Sequence, residues 1–169
     1  MRVATWNMKQ AVAPRRPLDD LWLWAEREIR AEVVVLTEAK VPKSGLPPGW
    51  TALWRAGGIG PRRTWGTVVA ARGVELEEVT SVRIGGDTVP LDFSWPGVVV
   101  VADVLRQGVR WATIVGLYGL TVDRDNNNCG HGRFSSKRLL RELTPLFNSE
   151  RGDSIVVAGD LNLWPVDVP

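Results

Sequence analysis

The chain has 169 residues, of which 44% are hydrophobic and 24% charged, a composition that indicates one folded domain and excludes disordered and fibrous classes. The formal net charge of +2 is mildly basic, and its cations are mostly Arg, which suits a phosphate-bearing substrate without requiring one. The single cysteine, Cys129, excludes an intrachain disulfide, and no apolar run could serve as a signal peptide or cross a bilayer, so we expect a cytoplasmic protein with no membrane contact.

The first half of the chain reads as strands and loops around one helix. Apolar and β-branched runs predict strands over residues 2–8, 33–36, 51–55, 66–72 and 74–79. Pro17 suits a helix start, and Leu18, Leu21, Trp22, Ala25 and Ile29 then recur at helical spacing. Prolines and glycines over 42–49, and glycines with Arg62 and Arg63 over 57–63, predict loops.

The second half predicts three more strands, over 98–105, 110–118 and 155–158. A polar loop is expected over 119–132, and a second helix over 134–147, with Leu139, Leu140, Leu143 and Phe147 on one face. Most strand runs follow one another directly. This order favours mainly antiparallel sheets covered by a few helices.

Oxygen-bearing side chains stand where three of the apolar strands end. Asn7 closes the first, Glu38 follows the second, and Asp160 and Asn162 follow the last. Mg²⁺ prefers hard oxygen ligands with few protein carboxylates, which suits Glu38 as the carboxylate ligand and Asn7 as a neutral partner. Asp160 could then polarise an attacking water, and Asn162 could donate its amide to a phosphate oxygen.

Each of these residues also has an ordinary structural explanation. A Glu after a strand is commonly a solvated end or a cap, and an Asn is commonly a turn residue. The Gly159-Asp160-Leu161-Asn162 run by itself is compatible with a tight turn. The four residues in this order after three apolar strands are much harder to explain in that way.

The motifs resemble those of the endonuclease/exonuclease/phosphatase superfamily, which includes exonuclease III and deoxyribonuclease I. The matching runs are Thr5-Trp6-Asn7, Val34-Val35-Leu36-Thr37-Glu38, Trp65-Gly66-Thr67-Val68-Val69, Val115-Gly116-Leu117-Tyr118 and Val156-Val157-Ala158-Gly159-Asp160-Leu161-Asn162. The Gly-Asp-x-Asn motif is fairly specific, whereas the others are weak singly.

The resemblance implies one α/β (α+β) domain over 1–169, a four-layer α/β/β/α sandwich of mainly antiparallel sheets. It implies Mg²⁺ or Mn²⁺ on Glu38 and Asn7, with Asp160, Asn162 and Tyr118 as catalytic residues. The family pattern continues to a Ser-Asp-His motif that this chain lacks. We therefore expect a fold that is incomplete at the C-terminus, impaired alone, and completed by a missing segment or a partner chain.

The segment after Tyr118, from the polar loop into the second helix, supplies further substrate-binding candidates. Arg124, His131, Arg133 and Arg138 could contact phosphates, although a His between glycines is usually only exposed and the arginines equally suit a solvated face. Cys129 and His131 are two residues apart with no partner pair, which is a weak metal signal.

Three functions follow from these residues. The first is a metal-dependent phosphodiester hydrolase, nuclease-like, that acts on nucleic acid by in-line attack of water. The second is a phosphatase or phosphodiesterase acting on a lipid or a small phosphate ester. The third is a non-catalytic domain that binds nucleic acid or a partner. The Arg-rich loops slightly favour nucleic acid.

Overall fold

The computed structural model describes residues 1–9, 18–56, 65–122 and 133–163. Its strands are β1 (Val3–Asn7), β2 (Val33–Ala39), β3 (Trp50–Ala56), β4 (Gly66–Arg72), β5 (Glu75–Glu78), β6 (Ser81–Ile84), β7 (Asp87–Pro90), β8 (Val99–Arg106), β9 (Val109–Tyr118), β10 (Thr121–Val122), β11 (Arg133–Phe134) and β12 (Ile155–Asp160). Its helices are α1 (Leu18–Trp24), which runs into a π-helical turn over Ala25–Ile29, α2 (Ser136–Glu142), α3 (Thr144–Phe147) and a 3₁₀ turn over Gly152–Ser154.

Two four-stranded sheets form the centre of the molecule. The first has the strand order β1-β2-β4-β3 and the second the order β12-β9-β8-β5. The pairs β1/β2 and β9/β12 are parallel, and the other pairs within the two sheets are antiparallel. The prediction of mainly antiparallel sheets is therefore confirmed. In each parallel pair the two strands have their carboxyl ends at the same edge of the sheet.

The two sheets pack face to face through small apolar side chains. The layer between them contains Val33, Val35, Val69, Ala71, Val100, Ala102, Val104, Ala112 and Ile114. Gly116 lies in this layer, where a Cβ would come within 2.9 Å of Val69 Cγ2 and 3.0 Å of Thr67 Cγ2. A larger residue at Gly116 would therefore push the sheets apart near the ends of β2 and β9.

Helices cover the outer face of each sheet. Parallel neighbours need a crossover connection, and α1 crosses from β1 to β2 while α2 and α3 cross from β9 to β12. Trp22 of α1 packs on Val34, Leu36 and Val68 of the first sheet. Buried leucines of the second crossover cover the second sheet: Leu139, Leu143 and Leu146. The predicted four-layer α/β/β/α sandwich is confirmed, and no helix in the described residues is long and apolar enough to cross a membrane.

A β-hairpin over residues 81–90 was not predicted from the sequence. β6 and β7 pair in antiparallel register from Ser81↔Pro90 to Ile84↔Asp87. The two-residue connection is Gly85-Gly86, with φ of 58° and 100°, values that glycine adopts without steric cost. The sequence signal for this hairpin was the Gly85-Gly86 pair between two short runs of strand-forming residues.

The predicted helix over 134–147 is wrong as a single element. It divides into α2 and α3 around Leu143, because Pro145 in the first turn of α3 cannot donate a backbone hydrogen bond to a continuing helix. The break changes the buried face. Phe147, predicted to share one face with the leucines of the helix, is 39% exposed, whereas Leu146 is fully buried.

A buried ion pair fixes the segment before β12. Asp103 of β8 is 5% exposed and accepts hydrogen bonds from Thr113 Oγ1 at 2.5 Å and from Arg151 Nη2 at 2.9 Å. Replacing Asp103 by alanine removes the buried counter-charge of Arg151 and leaves only the exposed Glu150, at 3.6 Å. We expect the free energy of unfolding to fall by about 3 kcal/mol in urea titrations.

An exposed ion pair of the same chemistry provides the control. Arg55 and Glu78 are 2.7 Å apart, with side chains 50% and 37% exposed. Glu78→Ala should lower the free energy of unfolding by less than about 1 kcal/mol, because water and salt screen exposed pairs. Equal losses in the two variants would contradict the assignment of Asp103 to a buried pair.

Candidate active site

Four strands bring polar side chains to one end of the sandwich. In the first sheet β1 ends at Asn7, which pairs with Thr37, the residue before Glu38. In the second sheet β12 ends at Asp160, which pairs with Tyr118 at the end of β9. Because each pair is parallel, its two strands end at the same edge of their sheet. The two edges adjoin, since Asn7 of the first sheet bonds to Asp160 of the second.

Hydrogen bonds join these four residues directly. Asn7 Nδ2 donates to Glu38 Oε1 at 3.1 Å and to Asp160 Oδ2 at 2.8 Å. The Tyr118 hydroxyl donates to Glu38 Oε1 at 2.9 Å. Residues up to 153 positions apart in the chain therefore form one connected group, named here the carboxylate cluster.

A β-bulge turns Glu38 toward this cluster. The pairing of β2 with β4 shifts register between Leu36 and Ala39, where one extra residue stands in β2. Glu38 has a φ of 50°, in the left-handed region that non-glycine residues seldom occupy. Such conformations persist where the surrounding structure enforces them, and they concentrate at functional sites.

The segment after β12 is held against the end of β9. Gly119 N donates to Asp160 O at 2.8 Å, and Asn162 N donates to Asp160 Oδ1 at 3.2 Å. The side chain of Asn162, predicted to reach a phosphate, donates from Nδ2 to Gly119 O at 2.8 Å. In this arrangement Asn162 fixes the backbone beside Asp160, and its contact with a phosphate stays a prediction.

The donor set of the cluster suits a hard divalent cation. Glu38 and Asp160 are two half-buried carboxylates held on one amide nitrogen, and Mg²⁺ is typically bound by one or two carboxylates with water and phosphate completing its shell. Residues 1–9, 18–56, 65–122 and 133–163 contain no group of three or more His, Cys, Asp or Glu side chains placed to hold a metal. A site of the zinc type, closed by four such ligands, is therefore not built from the described residues.

Two further features bear on a metal at this position. Thr37 Oγ1, one residue before Glu38, is buried and has no hydrogen-bond partner among the described residues. Asn7 turns its amide nitrogen toward the carboxylates, while its Oδ1 accepts from Lys9 N at 2.9 Å. The predicted role of Asn7 as an oxygen ligand would require its amide to rotate.

Of the other predicted substrate-binding residues, Arg138 has a described side chain, and its contacts are with residues outside the cluster. Arg138 lies on α2, where Nε donates to Glu142 Oε1 at 3.0 Å and the guanidinium lies 5.2 Å from the ring centroid of Trp95. Arg133 belongs to β11, but only its backbone is described. Predictions on Arg62, Arg63, Arg124, Cys129 and His131 lie outside the described residues.

Sequence reasoning did not assign a role to Trp65. Its ring meets that of Tyr118 edge to face, with centroids 5.4 Å apart and planes at 83°. The motif Trp65-Gly66-Thr67 was identified only as the start of a strand. The signal available was a bulky aromatic residue immediately before β4, at the same end of the sheet as Glu38.

Comparisons with known proteins support the fold. No protein-family model matches the chain, and no curated protein matches it in sequence. A solved structure, the endonuclease domain of TRAS1, a telomere-specific non-LTR retrotransposon, is similar over 97% of this chain, with a TM-score of 0.55 and 14% sequence identity. At that identity the similarity shows a shared fold, and the chain spans 61% of the length of that domain.

Proposed function

We propose that this chain is a divalent-metal-dependent phosphodiester hydrolase that acts on nucleic acid. The observation that carries the proposal is the carboxylate cluster, in which Glu38 and Asp160 converge from different sheets on Asn7 Nδ2. Two half-buried carboxylates held this close repel each other unless a positive charge or a hydrogen-bond donor lies between them. The fold shared with an endonuclease domain supports the same reaction class.

In this proposal Glu38 and Asp160 hold Mg²⁺ or Mn²⁺, which would neutralise charge on the phosphate oxygens and lower the pKa of a bound water. Tyr118 holds Glu38 through its hydroxyl. In this role its ring would face the substrate phosphate. Asp160 accepts the proton of the attacking water or orients that water. Asn7 keeps the two carboxylates in place, and Asn162 maintains the turn that presents Asp160.

A cleavage assay with controlled metal content tests the proposal. The full chain is freed of metal with EDTA and incubated with single- and double-stranded DNA and RNA. We expect no cleavage without metal and cleavage after addition of Mg²⁺ or Mn²⁺, because the carboxylates alone provide no positive charge to the developing transition state. Cleavage that persists in excess EDTA would contradict the proposed metal dependence.

A substrate panel separates the three candidate functions. Phosphate release from small phosphate esters or phosphoinositide vesicles, without cleavage of any nucleic acid, would favour the phosphatase alternative. Binding of nucleic acid without hydrolysis in Mg²⁺ and in Mn²⁺ would favour the non-catalytic alternative. Cleavage of a polynucleotide supports the proposal.

Metal binding can also be measured without activity. Tyr118 is the single tyrosine of the chain, so protein labelled with ¹³C at the tyrosine Cζ gives one signal. Because the Tyr118 hydroxyl lies 2.9 Å from Glu38 Oε1, paramagnetic Mn²⁺ bound at Glu38 should broaden that signal, whereas Mn²⁺ on the outer surface should not. An unbroadened signal at saturating Mn²⁺ would place the metal elsewhere.

A further inference from the structure

One backbone carbonyl connects the two sheets beside the carboxylate cluster. Val98 O, at the turn before β8, accepts a hydrogen bond from Tyr118 N of the second sheet at 2.9 Å. The same oxygen accepts from Thr67 Oγ1 of the first sheet at 3.0 Å. The neighbouring carbonyl, Gly97 O, accepts from Thr67 N at 2.8 Å. Thr67 and Val98 are both fully buried, so these bonds are protected from competition by water.

The residues around Thr67 also contact the side chain of Tyr118. Trp65 packs edge to face on the Tyr118 ring, two residues before Thr67. Gly66 lies between them, where a Cβ would come within 2.0 Å of Arg55 O and 2.9 Å of Gly97 O. The segment 65–67 is thus confined from both sides. It contacts the backbone of Tyr118 through the Val98 carbonyl and the ring of Tyr118 through Trp65.

We propose that Thr67 is a positioning residue, which sets the distance between the Tyr118 hydroxyl and Glu38 by joining the two sheets through the Val98 carbonyl. Glu38 belongs to β2 of the first sheet and Tyr118 to β9 of the second, so their 2.9 Å contact depends on the separation of the sheets at this end. Apolar packing between the sheets has no directional preference and would tolerate small displacements. The hydrogen bonds of Thr67 are directional and fix one arrangement. The structural part of this inference stands by itself, and only its consequence for catalysis rests on the proposed function.

The test begins with the Cζ signal of Tyr118, read without metal or substrate. Thr67→Val preserves the shape of the side chain but removes the hydroxyl, and we expect the signal to move toward its position in free tyrosine. Thr67→Ser retains the hydroxyl and should return the signal close to that of the unsubstituted chain. Thr67→Ala replaces Thr67→Val if the valine variant does not fold.

Thr113→Val is the matched control. Thr113 is as deeply buried as Thr67 and its hydroxyl also donates a hydrogen bond, but to Asp103 on the outer face of the second sheet. This variant should lose stability without moving the Tyr118 signal. A signal that stays in place in folded Thr67→Val, or that moves equally in Thr113→Val, would overturn the positioning role.

Kinetics then connect the position of Tyr118 to catalysis. For Thr67→Val we expect kcat on a polynucleotide to fall about tenfold with KM unchanged, because displacement of a catalytic group affects the reacting geometry more than substrate binding. Thr67→Ser should recover most of the loss. A displaced Tyr118 signal with unchanged kcat would overturn the proposed link between the position of Tyr118 and catalysis. If the unsubstituted chain cleaves nothing, the proposed function fails, and the tyrosine spectrum still decides whether Thr67 positions Tyr118.

Discussion

Glu38→Gln is expected to lower the cleavage rate about a thousandfold while leaving the fold intact. The glutamine has the same shape, and its Oε1 can still accept the hydrogen bonds that Asn7 and Tyr118 donate to Glu38. What is lost is the negative charge that would hold Mg²⁺ beside the phosphate, and loss of one strong electrostatic contact in a protected site typically costs two to three orders of magnitude. Rates are compared on one polynucleotide at saturating Mg²⁺.

Glu28→Gln is the matched control for the loss of one carboxylate. Glu28 is exposed in the π-helical turn after α1, on the outer side of the first sheet. This variant should cleave at the rate of the unsubstituted chain. In the Mn²⁺ titration, broadening of the Tyr118 signal should disappear in Glu38→Gln and persist in Glu28→Gln. Undiminished cleavage by Glu38→Gln would remove Glu38 from the active site.

Gly159→Ala is expected to destabilise the protein by about 3 kcal/mol or more. Gly159 has a φ of 141°, a conformation that L-residues rarely adopt, and its Cβ would lie 1.9 Å from Leu117 O. The obstructing atom is a backbone oxygen of the neighbouring strand β9, which cannot move without disturbing the pairing of Gly159 with Leu117. Backbone strain and overpacking each contribute about 1–3 kcal/mol. Urea unfolding measures the change.

Gly45→Ala separates the two contributions. Gly45 has a φ of 99°, but a Cβ there would meet no atom of the described residues within 4 Å. This control should lose only the conformational part, about 1 kcal/mol. Equal losses in Gly45→Ala and Gly159→Ala would show that the contact with Leu117 O is relieved by local movement. Because Asp160 follows directly, we expect Gly159→Ala to reduce cleavage as well.

The amide of Asn7 holds the two carboxylates of the carboxylate cluster together without a metal. The amide nitrogen of Asn7 donates to both Glu38 and Asp160, so it places partial positive charge between two groups that repel each other. A cation at that position would compete with the Asn7 amide for the same oxygens. Metal binding and rotation of the Asn7 side chain are therefore expected to be coupled.

Several elements were readable from local sequence because their cause is local. The strand over 66–72 was predicted with the bounds that the structure shows, and the strands ending at Asn7 and Tyr118 were predicted to within a residue. Apolar β-branched runs specify strands through their own side chains. Local signals were also present but not used, since Gly85-Gly86 indicated the hairpin of β6 and β7 and Pro145 indicated the break between α2 and α3.

The sequence by itself determined which polar residues end three apolar strands, and therefore named Asn7, Glu38 and Asp160. Tyr118 was named through the resemblance of its motif to the superfamily. Only the tertiary structure decided how they meet: the parallel pairs set their direction, a bulge turns Glu38 inward, and Asn7 bonds to a residue 153 positions away. It also decided that Asn162 faces Gly119 and that Thr67 joins the sheets beside Tyr118. Strand type depends on neighbouring residues, whereas register, sheet separation and side-chain direction depend on contacts between distant ones.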